Sequence, residues 1–266
     1  MKILVVGDIV GSPGRMAFAR VAGQMKIKQE ADFVVANAEN CAGGRGLTPS
    51  LAEELFAAGA DVLTLGDHAW DQKELAGYID REPRILRPAN FAPGCPGKGW
   101  FTAVTPLGAV TVSSLVGRVF MPAMFDCPFR VADQVLAQGG FGKIILVEIH
   151  AEATSEKIAL GRHLDGRVSA VFGSHTHVQT ADEAILRGGT AYLTDLGMTG
   201  PKDSVLGRDA ESVLHKFITG MPMPFKVATN DVMLEGLLLT IDEETGKVRK
   251  IKRVREAIGA APADGT

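Results

Sequence analysis

The sequence predicts an α/β protein in which mixed sheets are flanked by helices. Three observations support this prediction: apolar β-branched runs recur along the chain, helical periodicities separate the early runs, and two hairpin patterns follow later. Continuous apolar runs of this kind are typical of strands buried on both faces. A strand, a helix and another strand in succession imply parallel pairing with right-handed crossovers.

The individual elements follow from these patterns. The predicted core strands are 3–7, 32–37, 61–66, 143–150, 168–174 and 191–197. Apolar residues three and four apart predict helices over 16–29, 48–59 and 71–81. Thr48 followed by Pro49 is typical of a helix N-cap and first turn, and Gly59 of a C-cap. The segments 100–117 and 232–256 read as strand pairs joined by tight turns, so we expect antiparallel additions to a parallel core.

Length and composition indicate one soluble domain over 1–258, followed by a flexible tail over 259–266 that is rich in Ala, Pro and Gly. The net charge of −3 is spread along the chain, so we expect no stable binding to duplex nucleic acid. Cys41, Cys95 and Cys127 are scattered, which argues against a disulfide framework or a thiolate zinc site and favours the cytoplasm. The first apolar run is too short for a membrane span.

Polar side chains follow the predicted strands at their carboxyl ends, where open α/β sheets bind ligands. In chain order they are Asp8, Asn37, Glu39, Asn40, Asp67, His68, His150, Glu152, His175 and His177. Singly, each has a structural explanation, since Asp8 suits a turn, Asp67 suits a helix cap and a lone histidine suits a strand end. Jointly they predict a metal centre, because four of the six histidines fall on one rim. His163 and His215 lie in helix-like segments and look ordinary.

The donor set indicates the kind of metal chemistry. A structural zinc site would close with four ligands, usually including thiolates, and seven or more oxygen and nitrogen donors are too many for one closed ion. They suit two ions that share a carboxylate and a water, which activates a hydroxide for displacement at phosphorus. Hydrolysis of a phosphate ester is therefore the expected reaction.

Five short motifs, GDIVG, NAEN, GDHAWD, HAE and GSHTH, resemble the metal motifs of the calcineurin-like metallophosphoesterases. In detail they resemble the YmdB-type branch, the 2′,3′-cyclic-nucleotide 2′-phosphodiesterases, and 194–207 and 221–229 extend the likeness almost end to end. The resemblance implies a four-layer α/β/β/α sandwich with two metal ions on one edge. It implies that one ion is held by Asp8, Glu39, Asn40 and His177, and the other by Glu39, Asp67, His150 and His175. Glu39 would bridge them, and His68 would be the proton donor.

Two positions depart from the wider superfamily. Val10 stands where a histidine ligand is usual, and Asn40 fills that gap in the YmdB-type branch. Asp67 stands where asparagine is usual and adds a third carboxylate, which leaves two divalent ions and their ligands one unit positive. A less positive centre lowers the acidity of the bridging water and favours a trivalent ion at one site. We therefore hypothesise that Asp67 raises the pH optimum or selects a mixed-valence iron pair.

The resemblance implies that a metal-bridging hydroxide attacks a 2′,3′-cyclic nucleotide, such as 2′,3′-cAMP, and that His68 protonates the leaving 2′-oxygen to give a 3′-nucleotide. Two metal ions, expected to be Fe with Mn or Zn as alternatives, would be the cofactors. Asp71 and Glu152 are candidates either to orient ligands or to cap helices, and Arg15 and Arg45 are candidates to steer a phosphate. Alternative interpretations keep the site but change the substrate to a nucleotide monoester, phosphoprotein or short RNA, or make the protein a regulator with a vestigial site. A homo-oligomer remains open and no membrane partner is expected.

Overall fold

The computed structural model describes residues 1–259, so the predicted tail from 260 onward lies outside the described residues. The strands are β1 (Lys2–Val6), β2 (Asp8–Ile9), β3 (Phe33–Asn37), β4 (Val62–Thr64), β5 (Ile85–Leu86), β6 (Trp100–Thr105), β7 (Gly108–Val116), β8 (Ile144–His150), β9 (Ala170–Ser174), β10 (Ala184–Ile185), β11 (Ala191–Leu193), β12 (Met198–Pro201), β13 (Val232–Ile241) and β14 (Val248–Gly259). The helices are α1 (Gly11–Ile27), α2 (Pro49–Ala57), α3 (Lys73–Ala76), α4 (Pro128–Gln138), α5 (Thr154–His163) and α6 (Ala210–Thr219).

The first sheet joins the two ends of the chain. Its order is β2-β12-β13-β1-β3-β4-β5, with β14 paired to β13. The strands β1, β3, β4 and β5 are parallel, as their helix-separated apolar runs predict. The late strand β13 runs antiparallel beside β1 and pairs with β14 as a long hairpin. The predicted antiparallel additions to a parallel core are therefore present.

The second sheet has the order β10-β11-β9-β8-β7-β6. Its centre, formed by β7, β8, β9 and β11, is parallel, whereas β6 and β7 form the predicted hairpin with Thr105 opposite Gly108. The parallel strands β8 and β9 are in register so that His150 lies opposite Ser174. Both strands therefore end at the same edge.

Three apolar layers hold the sheets and helices together. One lies between the two sheets and includes Val35, Leu146 and Phe172. A second lies between the first sheet and α1 and α2 and includes Phe18 and Leu55. The third packs α4 and α5 on the second sheet. The order helix, sheet, sheet, helix is the four-layer sandwich that the sequence resemblance implies.

The helix predicted over 71–81 is wrong in extent, because only Lys73–Ala76 is helical. Gly77 ends the helix, and the chain then turns to place Ile79 in the core and to reach β5 at Ile85. Helical spacing of apolar residues was present, but the chain on both sides of Lys73–Ala76 forms turns instead of further helix. Across residues 1–259, the structure contains no helix long and apolar enough to cross a bilayer.

Candidate metal centre

The ends of strands from both sheets meet to form one polar rim. The first sheet brings Asp8 after β1, Glu39 and Asn40 after β3, and Asp67 after β4. The second sheet brings His150 at the end of β8 and His175 and His177 after β9. The parallel strands make this convergence, because their carboxyl ends share an edge in each sheet.

Four of these groups are close enough to hold one cation. Glu39, Asp67, His150 and His175 each offer an atom within 4.8 Å of the others. His150 Nε2 lies 2.8 Å from Glu39 Oε1 and 3.0 Å from Asp67 Oδ1. His175 Nδ1 lies 3.0 Å from His150 Nε2. Two imidazoles and two carboxylates suit a divalent transition-metal ion.

The remaining predicted ligands, Asp8, Asn40 and His177, lie beside this cluster. Asp8 Oδ1 is 3.9 Å from His177 Nε2. Asp8 Oδ1 and Asn40 Oδ1 are buried without a hydrogen-bond partner among the described residues. His177 Nδ1 is 3.1 Å from the carbonyl oxygen of Leu206, which leaves Nε2 free to act as a ligand. Buried oxygens without donors are costly unless a cation or water satisfies them, so these residues fit a second metal ion.

The buried acids and histidines shift one another's pKa values. Burial raises the pKa of Asp8 to about 6 and lowers that of His177 to about 4. Burial also opposes the charge on His150, but the neighbouring carboxylates outweigh it and raise the pKa of His150 well above its usual value. The same contacts with His150 outweigh burial at Glu39 and Asp67 and lower their pKa values. His150 Nε2 thus lies between two carboxylates whose charge favours a cation at this place.

His68 occupies a different position from the ligands. Its backbone N–H donates to Glu39 Oε2 at 3.0 Å, and its Nδ1 lies 3.1 Å from Asp71 Oδ2. The guanidinium of Arg45 contacts the same Asp71 oxygen at 2.9 Å. Asp71 therefore occupies Nδ1 of His68, and Nε2 is the nitrogen that remains for a substrate. Asp71, a candidate in the sequence for orienting ligands, contacts His68 and not one of the predicted metal ligands.

A pocket of about 400 Å³ lies over the rim. His68, His175 and His177 line it, together with Arg45 and Arg208. Sequence reasoning did not single out Arg208, which directly follows the stretch 194–207 that resembles the YmdB-type branch. Its guanidinium donates to the carbonyl oxygens of Gly43 and Gly44 and so reaches the pocket from the loop after β12. Arg45 and Arg208 thus bring two positive charges, which suit a phosphate ester, to a pocket whose lining also includes the carboxylates of Glu39 and Glu152.

The structure places the two other candidate residues, Glu152 and Arg15, in different surroundings. Glu152 Oε2 lies 3.3 Å from His175 Nε2 and can orient that ring. Arg15 does not line this pocket, since its guanidinium bonds Glu54 and the carbonyl oxygen of Cys41. The suggestion that Arg15 steers a phosphate therefore finds no support, whereas Arg45 is at the pocket wall.

Several known proteins are similar to this chain in sequence and in fold. The chain is 47% identical over 256 residues to the 2′,3′-cyclic-nucleotide 2′-phosphodiesterase of Bacillus subtilis (strain 168), covering 96% of each chain. It matches the crystal structure of a phosphatase from Mycoplasma pneumoniae with a TM-score of 0.91 and 33% identity, covering 97% of this chain and 93% of that one. A hypothetical protein from Thermus thermophilus also gives 0.91, at 39% identity over 97% and 99% of the two chains.

More distant matches share the fold alone, such as the Haemophilus influenzae NAD nucleotidase, with a TM-score of 0.54 at 11% identity over 97% of this chain and 56% of that one. Two packed sheets flanked by helices, with carboxylates and histidines on one edge, define a protein of the metallophosphoesterase type. Within that class, the model of the YmdB-like protein family matches residues 4–254. The chain belongs to the YmdB-like family.

Proposed function

We propose that this protein is a metal-dependent phosphodiesterase that hydrolyses 2′,3′-cyclic nucleotides to 3′-nucleotides. The observation that carries the proposal is the identity of 47% with the Bacillus subtilis phosphodiesterase over 96% of both chains. The pocket above the polar rim supports it, because Arg45 and Arg208 line it and offer two positive charges to an anionic substrate.

Two metal ions are part of this proposal, with Fe the expected metal and Mn or Zn as alternatives. Asp8, Glu39, Asn40 and His177 would hold one ion, and Glu39, Asp67, His150 and His175 the other. The buried oxygens of Asp8 and Asn40 that lack donors support the first set, and the four-residue cluster supports the second. When bound, such ions activate water and offset the charge of the phosphoryl oxygens.

His68 is the proposed general acid. Asp71 accepts the N–H of His68 Nδ1, so the acid is the imidazolium form, whose second proton, on Nε2, passes to the leaving 2′-oxygen of the ribose. The backbone contact of His68 with Glu39 fixes the imidazole at the edge of the proposed metal site. Arg45 helps in two ways, because it contacts Asp71 and also lines the pocket.

The test is turnover of 2′,3′-cAMP by the purified protein, with the products separated by chromatography and the bound metals measured by elemental analysis. We expect nearly two ions per chain and 3′-AMP as the product. His68→Ala should lower kcat by about 10²- to 10⁴-fold while retaining the ions. His163→Ala is the matched control, because His163 is a partly exposed histidine on α5 that contacts Asp133.

Two results would contradict the proposal. Bound metal without turnover of 2′,3′-cAMP would mean that the substrate is a different phosphoester. Formation of 2′-AMP would exclude the 2′-oxygen as the leaving group. The hypothesis on Asp67 is tested in the same assay, because Asp67→Asn should lower the pH optimum or change the metals that are retained. An unchanged pH profile with unchanged metals would remove that hypothesis.

A further inference from the structure

A fully buried chain of polar side chains lies directly beneath His150. It consists of Asn37 at the end of β3, Glu148 on β8 and Ser174 at the end of β9, each at most 1% exposed. Ser174 Oγ is 2.5 Å from Glu148 Oε1 and 2.8 Å from His150 Nδ1. The alternation of β8 places Glu148 on the same face as His150, and the register with β9 places Ser174 opposite His150.

The direction of each hydrogen bond follows from the donors and acceptors present. Asn37 Oδ1 accepts from the backbone N–H of Glu39, so the amide nitrogen of Asn37 faces Glu148 and donates to Oε1 at 2.7 Å. Oε1 thus receives the amide proton and is the unprotonated oxygen of the carboxyl. The single hydroxyl proton of Ser174 therefore also points to Oε1.

This direction fixes the protonation of the histidine. Because the Ser174 hydroxyl donates its hydrogen bond to Glu148, the Ser174 oxygen can only accept a hydrogen bond from His150 Nδ1. His150 Nδ1 consequently carries a proton, and the Asn37 amide nitrogen, which also lies 3.5 Å from it, is itself a donor. The opposite nitrogen, Nε2, faces Glu39 and Asp67 and is the one available to a metal ion.

We propose that Glu148 and Ser174 are positioning residues, which hold His150 with its proton on Nδ1 and with Nε2 directed into the metal centre. This inference rests on the proposed metal site, although it does not depend on the substrate. Ligand histidines commonly donate their second N–H to a carboxylate or carbonyl group. Here the carboxylate acts through a serine hydroxyl, so removal of that hydroxyl should weaken the hold on the metal.

The first test is the affinity of the purified, metal-stripped chain for Zn²⁺, measured by competition with a chelating dye. Ser174→Ala should bind Zn²⁺ about 10- to 100-fold more weakly at the site that contains His150. Glu148→Gln should stay close to wild type, because an amide oxygen still accepts both protons. The matched control is Ser169→Ala, since Ser169 is also buried but its hydroxyl oxygen accepts from the backbone of Ile145 at the other end of β9.

The second test observes the proton itself in the Zn²⁺-loaded protein labelled with ¹⁵N-histidine. Wild type and Glu148→Gln should show a slowly exchanging Nδ1–H signal from His150, and Ser174→Ala should lose it to solvent exchange. Ser174→Cys fills the same space with a weaker acceptor and replaces the alanine variant if that variant does not fold. A loss of packing alone would lower the urea midpoint but would not remove this one signal.

The outcomes separate this inference from the proposed function. Wild-type affinity and a retained Nδ1–H signal in Ser174→Ala would overturn the inference, as would equal losses in Glu148→Gln and Ser174→Ala. Wild type that binds Zn²⁺ but hydrolyses no cyclic nucleotide would overturn the proposed substrate and leave the positioning role intact. Wild type that binds no metal would overturn both.

Discussion

Two residues of the rim, His175 and His177, have a backbone conformation that histidine seldom adopts. Their φ angles are 96° and 64°, in the left-handed region that favours glycine. Such a conformation costs on the order of 1–2 kcal/mol for a side chain with a Cβ atom. The turn after β9 is therefore held in a strained form that points both imidazoles at the rim, and strain of this kind concentrates at functional sites.

A glycine and alanine comparison tests this strain. At position 177, His177→Gly should be more stable than His177→Ala by about 1 kcal/mol, because only the alanine has a Cβ atom at positive φ. At position 215, inside α6, the order should reverse, with His215→Ala more stable by about 1 kcal/mol. Urea unfolding of the four metal-stripped variants gives both differences. If the alanine variant were more stable than the glycine variant at both positions, the turn at His177 would be unstrained.

The pKa values predict that metal binding releases a proton. The carboxylates around His150 outweigh the effect of burial and raise its pKa well above 6.5, so His150 is protonated at pH 7 until a cation takes its Nε2. Binding should release about one proton per chain, and affinity should rise with pH until His150 deprotonates on its own. Calorimetry in buffers of different ionisation enthalpy measures this number. His150→Asn should abolish the release, and an unchanged release would assign the proton to another group.

The residues of the rim could be predicted from the sequence because each directly follows a strand that its own apolar run defines. The proposed positioning residues could not. Glu148 and Ser174 lie inside or at the end of strands and read there as ordinary alternation, and their importance depends on the register between β8 and β9 and on the approach of β3 from the other sheet. The need for glycine at Gly66 could not be predicted from the sequence either, because it depends on the approach of His150: a Cβ atom at Gly66 would lie 2.2 Å from Cδ2 of His150.

At the scale of elements, α5 holds the turn that presents the two strained histidines. Lys157 of α5 is fully buried, and its Nζ donates to the carbonyl oxygen of Ser174 and to Asp195 Oδ2, both at 2.7 Å. Asp195 Oδ2 also accepts from the backbone N–H and the hydroxyl of Thr176, between His175 and His177. One buried ion pair therefore links a helix, a strand end and the loop after β11.

Breaking this ion pair on one side should be costly. Lys157→Met leaves the Asp195 carboxylate buried without its cation, and we expect a loss of about 3 kcal/mol in the free energy of unfolding. Adding Asp195→Asn should recover most of that loss, because the charge is gone while an oxygen still accepts from Thr176. Lys216→Met, on the exposed part of α6, is the control and should change stability by less than about 0.5 kcal/mol. A single variant as stable as this control would contradict the linkage.

Elements defined by local sequence signals were predicted well, and an element whose end depends on tertiary packing was not. The N-cap at Thr48 is present, with its hydroxyl accepting from the N–H of Leu51. The hairpin of β13 and β14 is also present, although bulges at both ends interrupt its register. The helix over 71–81 failed in extent because it ends at Gly77 and the following turn packs Ile79 into the core, which periodicity does not report.

At the scale of the whole molecule, we propose that residues 1–258 unfold as one domain, because the two sheets share an apolar layer. The two tryptophans report on different halves: Trp70 packs against the core of the first sheet and Trp100 against that of the second. In urea, Trp70→Phe and Trp100→Phe should each show one transition that coincides with the loss of helical circular dichroism. Fluorescence midpoints that differ from those of circular dichroism would indicate two separate units.

The pairing of β1 with β13 has a consequence for biosynthesis. Val6 pairs with Gly236, so one edge of β1 stays uncovered until nearly the whole chain has left the ribosome. At typical elongation rates that interval is roughly 10 to 50 s. Asp8, Glu39 and Asp67 are synthesised before β13 completes the first sheet, so a nascent chain presents these rim carboxylates beside an open edge of β1. The unpaired edge of β1 is open to pairing with other chains during this interval, so aggregation competes with folding until β13 arrives.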